Sequence, residues 1–205
     1  MSEPPRRTAR GERTRERILE AATEVFARRG LHGTRVSDIA EQAGIAYGLV
    51  YHHFHNKDEI LAAIYQERWG DYVDYLTELR HAELPFAERI AKLVHFLVET
   101  YRQDPHLMTV MINEISRSYE FIDSHDIGSM LVVFDAIEDI VGQGMRAGQI
   151  RADVDPKLVA YAVLGIAEMV LTGYVMGTLR RAAREEYAAD EQQLVTLLLR
   201  GLATA

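Results

Sequence analysis

The stretch VSDIAEQAGIAYGLVYHHF, Val36–Phe54, decides the fold. Its first half is a short helical pattern in which Val36, Ile39 and Ala40 share an inward face, and the small Ala40 permits a close crossing. Gly44 stands where the chain must turn sharply, a position that often needs φ > 0. Ile45, apolar within the turn, is placed to plug the angle between two helices. From Ala46 a second helix follows, with Ala46, Val50 and His53 on one face and Phe54 just beyond it. Tyr47, Gly48, Tyr51 and His52 fall on the opposite face. A glycine inside a helix costs about 1 kcal/mol relative to alanine. Its presence on an outward face makes sense where the backbone must approach another surface. Helix, tight turn, helix describes both a generic helical hairpin and a helix-turn-helix, whose second helix enters the DNA major groove.

The flanks are helical too. Ile18, Ala21, Ala22, Val25 and Phe26 recur at helical spacing, and Gly30 stops that run as a C′ residue. Asn56 can cap the next helix, and Glu59 can reach back to the Asn56 N–H as in a capping box. Further helices are expected over about 86–103, 105–117, 125–147, 156–181 and 191–202, the fourth opened by an Asp155 cap and Pro156. No strand-like alternation competes, so the fold class is all-α. A basic arm (1–12) should precede a helix-turn-helix domain (13–61) and a larger helical domain for ligand binding and dimerisation (62–205).

Composition agrees. The 205 residues are 48% hydrophobic and 26% charged, as expected of a soluble protein with a sizeable core. The absence of cysteine removes disulfide scaffolds, thiolate zinc sites and cysteine nucleophiles, and suits a cytoplasmic setting. No apolar run follows the early arginines, so no secretory signal is expected. The stretch Leu158–Leu179 carries Glu168 and three glycines and reads as a buried helix, with no membrane partner. A net charge of −8 argues against nucleic acid until the chain is divided. Residues 1–57 hold ten Lys+Arg against seven Asp+Glu, +3, whereas 58–205 hold thirteen against twenty-four, −11. Such asymmetry hints at a nucleic-acid-binding portion. The six arginines among the first seventeen residues suit either a DNA-contacting arm or a solubility tail.

Phe26-Ala-Arg-Arg-Gly30, Thr34–Ala40, Ala43-Gly-Ile45, Gly48–Phe54 and Asn56–Leu61 together resemble the N-terminal domain of the TetR family of bacterial repressors. The resemblance implies a DNA-binding set of Thr34, Ala46, Tyr47, Gly48, Leu49, Tyr51, His52 and Lys57. Thr34 and Lys57 would meet phosphate, Tyr47 would read a base, Gly48 would allow close approach, and Tyr51 and His52 would lie along the phosphates or groove. Two positions depart from the family pattern: Ala46 replaces a common hydroxyl residue and Leu49 a common threonine. Leu49 can instead touch a thymine methyl. With no Arg or Lys between Ala46 and Phe54, bidentate guanine readout from this helix is not available.

Elsewhere the catalytic and metal signatures are missing. His52, His53 and His55 cluster, but on different faces and without an acidic third ligand at matching spacing, so no metal is assigned. No phosphate-loop, H-E-x-x-H or G-x-S-x-G motif occurs, and neither an enzyme nor a cofactor is indicated. In the C-terminal portion Met108, Met111, Ile112, Ile115, Tyr119, Phe134, Ile137 and Met169 form an apolar set suited either to plain core or to an adaptable pocket. Asn113–Ser118, Gly148–Asp153 and Gly165–Met169 resemble the TetR branch of fatty-acid-degradation regulators. That likeness implies release from DNA by long-chain acyl-coenzyme A. The acidic 58–205 portion should repel a polyanionic head group, so local cations must compensate, Arg117 first and Arg102 behind it. An uncharged hydrophobic inducer needs the same lining and no cation. The implied whole is a homodimeric, palindrome-binding repressor, dimerised through the last two helices and relaying effector binding through the helix that starts at Lys57. The alternatives are an efflux or catabolic regulator answering another hydrophobic compound, and a helical ligand-binding protein with weak DNA affinity.

Overall fold

A computed structural model describes residues 9–115 and 127–202, all helix and connecting turns with no strand among them. The chain divides into two compact units, residues 1–69 and 70–205. That division falls inside a helix, eight residues beyond the boundary expected at 61/62, because an unbroken helical pattern carries no punctuation there.

In the first unit, helix α1 (Ala9–Gly33) buries Ile18, Ala22, Val25 and Phe26. Its regular geometry breaks at Gly30, whose φ of +69° only glycine adopts cheaply. The carbonyls freed by that break are then bonded by side chains from further along. The Thr34 hydroxyl donates to Gly30 O at 2.8 Å. The Lys57 ammonium donates to Leu31 O, His32 O and Thr34 O at 2.7, 3.3 and 3.1 Å. Both answer the need of a helix C-terminus for donors and positive charge.

Helix α2 (Val36–Ala43) starts with the Asp38 carboxylate accepting the Arg35 N–H at 2.9 Å and pairing with Arg29. It stops at Gly44 in the left-handed conformation, φ +62°. Gly44 N–H returns to Glu41 O and Ile45 N–H to Ala40 O, the paired bonds of a Schellman motif. Arg17 adds a donor to Ala43 O at 2.6 Å. Helix α3 (Tyr47–His53) is anchored by Val50, 0% exposed, and by Phe54, whose ring lies beneath the Arg15 guanidinium.

Helix α4 (Lys57–His81) opens with Asn56 Oδ1 accepting the Glu59 N–H at 2.8 Å. The reciprocal arm goes one residue further back than expected: Glu59 accepts from His55 N–H at 2.7 Å and pairs with His55 Nδ1. Two partners on one residue outcompete the Asn56 N–H.

The second unit adds α5 (Phe86–Gln103), α6 (Pro105–Ile115), α7 (Ile127–Arg146), α8 (Pro156–Val175) and α9 (Arg184–Leu202). Helix α5 packs against all four of the others, and its buried Phe86, Ile90, Leu93, Val94 and Val98 centre the core. Asp155 caps α8 through the Lys157 and Leu158 N–H groups, with Pro156 in the first turn.

Two expectations are corrected here. Helix α8 ends at Val175 rather than near 181, because the chain turns through Gly177 at φ +68°. Helix α9 begins at Arg184, seven residues earlier than expected, where Glu186 accepts the Ala182 and Ala183 N–H groups. The turn between them is clamped: Arg181 Nε and Nη2 donate to the two Asp190 oxygens at 2.7 and 2.9 Å, and the buried Tyr174 hydroxyl donates to the same carboxylate.

A third correction concerns α8 as a whole. It is long and apolar enough to cross a membrane by length and composition, yet only 39% of its most apolar window is buried. One face packs on α5, α6 and α7, while Leu158, Tyr161, Ile166 and Met169 are exposed on the other. A wholly buried helix it is not.

Candidate nucleic-acid interface

Helix α3 holds its outward side chains in a defined arrangement. Tyr47, 53% exposed, donates its hydroxyl hydrogen to the Tyr51 hydroxyl at 3.1 Å, with the rings edge to face at 5.0 Å. The Tyr51 hydroxyl hydrogen is left to donate outward. Leu49 and His52 are exposed alongside. A Cβ built at Gly48 meets nothing within 4 Å, so nothing inside this chain demands a glycine there. If the bare Cα answers a contact, that contact lies outside the chain.

The remaining members of the expected set sit differently. Ala46 is exposed at the N-cap of α3 rather than inward with Val50, since its extended backbone (ψ 137°) takes it off the helix face. Thr34 is 2% exposed, and its hydroxyl is spent on Gly30 O. A phosphate contact through that hydroxyl is therefore corrected: it shapes the turn instead. Lys57 is half-buried with its ammonium on three carbonyls, which makes it a capping group for α1 in this arrangement. Sequence reasoning passed over Arg35, the exposed cation at the N-cap of α2 next to the buried Thr34. The signal was present, because Arg35 is the basic residue of the quoted Thr34–Ala40 run.

In the second unit Met108, Met111 and Ile112 on α6 and Ile137 on α7 are all buried, and both helices pack against α5. Phe134 is half-buried and stacks on Tyr161 at 4.3 Å between ring centroids. Met169 does not join them. It is 69% exposed, on the outer face of α8, so its place in a lining is withdrawn. Ile115 ends α6, while Arg117 and Tyr119 lie outside the described residues. Arg102, the second-choice cation, is paired with Glu99 and lies over the Tyr187 ring. Among the described residues no group of three or more His, Cys, Asp or Glu is placed to hold a metal.

A helix-turn-helix with an exposed, uncharged aromatic face, followed by a second helical unit with an apolar interior, defines a one-component DNA-binding regulator. Residues 18–64 match the bacterial regulatory proteins of the tetR family, and residues 87–196 match the tetracyclin repressor-like C-terminal domain. The chain belongs to the TetR family.

Among its relatives is a fatty acid metabolism regulator protein of Bacillus subtilis, 25% identical over 185 residues and covering 90% of this chain and 93% of that one. A transcriptional repressor of Mycolicibacterium smegmatis, KstR2, is 29% identical, with 71% of each chain covered. Among solved structures, the regulator FadR from Bacillus subtilis in complex with stearoyl-CoA superposes with a TM-score of 0.78 at 25% identity, covering 91% of this chain and 98% of that chain. FadR from Bacillus halodurans shares the fold, with a TM-score of 0.80, 24% identity and 98% of both chains covered. These relatives are transcriptional regulators rather than enzymes.

Proposed function

We propose that this chain is a cytoplasmic, non-enzymatic transcriptional repressor that binds a palindromic operator as a homodimer and leaves it when a hydrophobic effector binds. Long-chain acyl-coenzyme A is the first candidate effector. The observation that supports it best is the likeness, over nine-tenths of the chain, to a regulator held with stearoyl-CoA. The apolar interior of α5, α6 and α7 suits an acyl chain, each buried methylene being worth about 0.8 kcal/mol. Residues 13–61 form the DNA-binding part, in which Tyr47, Leu49 and Tyr51 face base edges and backbone, with His52 and Arg35 beside phosphate. Specificity comes from the former and positioning from the latter. The rest, 62–205, binds the effector and dimerises.

Dimerisation is supported by the outer faces of α8 and α9. Leu158, Tyr161, Ile166 and Met169 on the one, and Leu197 on the other, leave large apolar side chains in water. A patch of that kind is what a self-complementary two-fold interface buries. A two-fold protein also matches palindromic half-sites about 34 Å apart.

Band-shift assays on the operator recovered from genomic pull-down, with acyl-coenzyme A of eight to eighteen carbons, test the reading. Release that strengthens with chain length is expected. A second reading, an uncharged polycyclic or drug-like inducer, draws on the KstR2 relatives, one of which is described as a ketosteroid transcriptional regulator. Release by such a compound with none by any acyl-coenzyme A would replace the first effector with the second.

A further inference from the structure

Arg89, in the first turns of α5, is 6% exposed. Its Nη1 donates to Gln143 Oε1 at 2.7 Å, while its Nε–H is buried without an acceptor among the described residues. No carboxylate among the described residues pairs with it, and burial pulls its pKa below the usual arginine value. Gln143 is held in turn, its amide donating to Arg80 O at 3.4 Å. Arg80 is itself paired with Asp139, so that carboxylate is already committed.

The same molecule shows what a filled guanidinium edge looks like. Arg181 lays Nε and Nη2 on the two oxygens of Asp190, and Arg151 does likewise with Asp153. This side-on pair of parallel N–H donors matches a carboxylate or phosphate in two bonds. On Arg89 the Nε–H half of that edge lacks an acceptor among the described residues. A buried cation without a counter-ion is strongly unfavourable. It occurs here although residues 58–205 hold twenty-four acids against thirteen bases.

We propose that Arg89 is the anion receptor of the effector site, its Nε edge taking a carboxylate or phosphate oxygen of an amphipathic ligand. The apolar remainder of the ligand runs along α5, whose Ile90, Leu93 and Val94 continue the buried face. This rests on the effector reading above and sharpens it: the ligand carries negative charge, which an uncharged inducer does not.

The test uses the full-length protein and two readouts, thermal melting and release of labelled operator, with stearate, stearoyl-CoA and stearyl alcohol as probes. In the wild type the anionic ligands are expected to raise the Tm and release DNA well below the concentration at which the alcohol acts. Comparison of stearate with stearoyl-CoA identifies the anion as carboxylate or phosphate. Arg89→Met should melt, without ligand, at or above the wild-type temperature because a buried cation is gone. It should lose the ligand-induced Tm shift and need at least tenfold more anionic ligand for half-release, with the response to alcohol unchanged. Arg89→Lys keeps the charge without the planar edge and should fall between.

Full retention of the shift in Arg89→Met overturns the assignment and leaves the repressor reading intact. So does a ligand-free Tm that falls below wild type, which marks the side chain as structural. Equal potency of stearyl alcohol on the wild type overturns it as well. If none of the three probes releases the wild type, the effector reading itself falls and carries this inference with it.

Discussion

Lys57→Met separates two roles for one cation. A phosphate-contacting lysine can be removed at little cost to stability. In this structure, however, the ammonium closes α1 by bonding Leu31 O and Thr34 O at 2.7 and 3.1 Å, with a longer bond to His32 O. Hydrogen bonds from a charged donor contribute about 1.5–3 kcal/mol, and a half-buried ammonium belongs at the low end, so the expected loss is about 2 kcal/mol. Part of it is the burden left on carbonyls that lose their donor. A loss of that size corresponds to roughly thirtyfold faster amide exchange through opening of the first unit. Ile39 and Val50, both 0% exposed, are the amides to follow. Operator affinity should drop as the turn at 31–34 loosens, while the slope of log K against log salt stays as in the wild type. The opposite pair of results would refute this reasoning: exchange unchanged, and a salt slope smaller by about one, as for a lost phosphate contact.

Gly48→Ala should keep or slightly raise stability, by up to about 1 kcal/mol of helix propensity, because a Cβ meets nothing in the chain; operator affinity measured by anisotropy should nevertheless fall. Met169→Glu places a charge in the exposed apolar face of α8, and sedimentation at micromolar concentration should shift from a dimer toward the 23.3 kDa monomer with the helical spectrum unchanged. Asp38 and Glu59 are held below their ordinary values of 3.8 and 4.5, in each case first by a backbone N–H bond, from Arg35 and His55. Depressed carboxylates stabilise fully above the unfolded pKa and lose that contribution as pH falls through the lower folded one. The first unit should therefore hold its stability above about pH 5 and weaken progressively below it, and Asp38→Asn should flatten that acid limb in melts across pH.

What the sequence made legible was local. Gly30, Gly44, Asn56 and Asp155 sit where each was expected, because a cap or a left-handed turn is written in one or two neighbouring residues. Groups whose partners lie far along the chain were not legible. Lys57 bonds carbonyls 23 to 26 residues earlier, and nothing in its own neighbourhood announces that. The family resemblance implies an outward phosphate contact for the Thr34 hydroxyl, whereas in this fold the side chain is buried and bonds Gly30 O. The start of α9 was missed because the run from Arg184 to Asp190 has little apolar stripe, and the helix there is held by Glu186 and the Arg181–Asp190 clamp. Met169 shows the limit of apolar pattern itself. Periodicity tells that a helix has a greasy face, not whether its own fold or another molecule covers it.

The uncharged face of α3 has a consequence for how this regulator can change. Tyr47, Leu49 and Tyr51 offer π-faces, an aliphatic surface and hydroxyls, but no formal charge, so the electrostatic share of DNA affinity has to come from cations on other elements such as Arg35. Strength and selectivity are then written on separate parts of the domain. Recoding α3 for a different operator, by drift or by design, should leave ionic-strength sensitivity where it was. Retuning the flanking arginines should alter occupancy on all sequences without moving the preferred site. A regulator divided this way can acquire new target genes by exchanging a few neutral side chains, and can do so without first losing its grip on the chromosome.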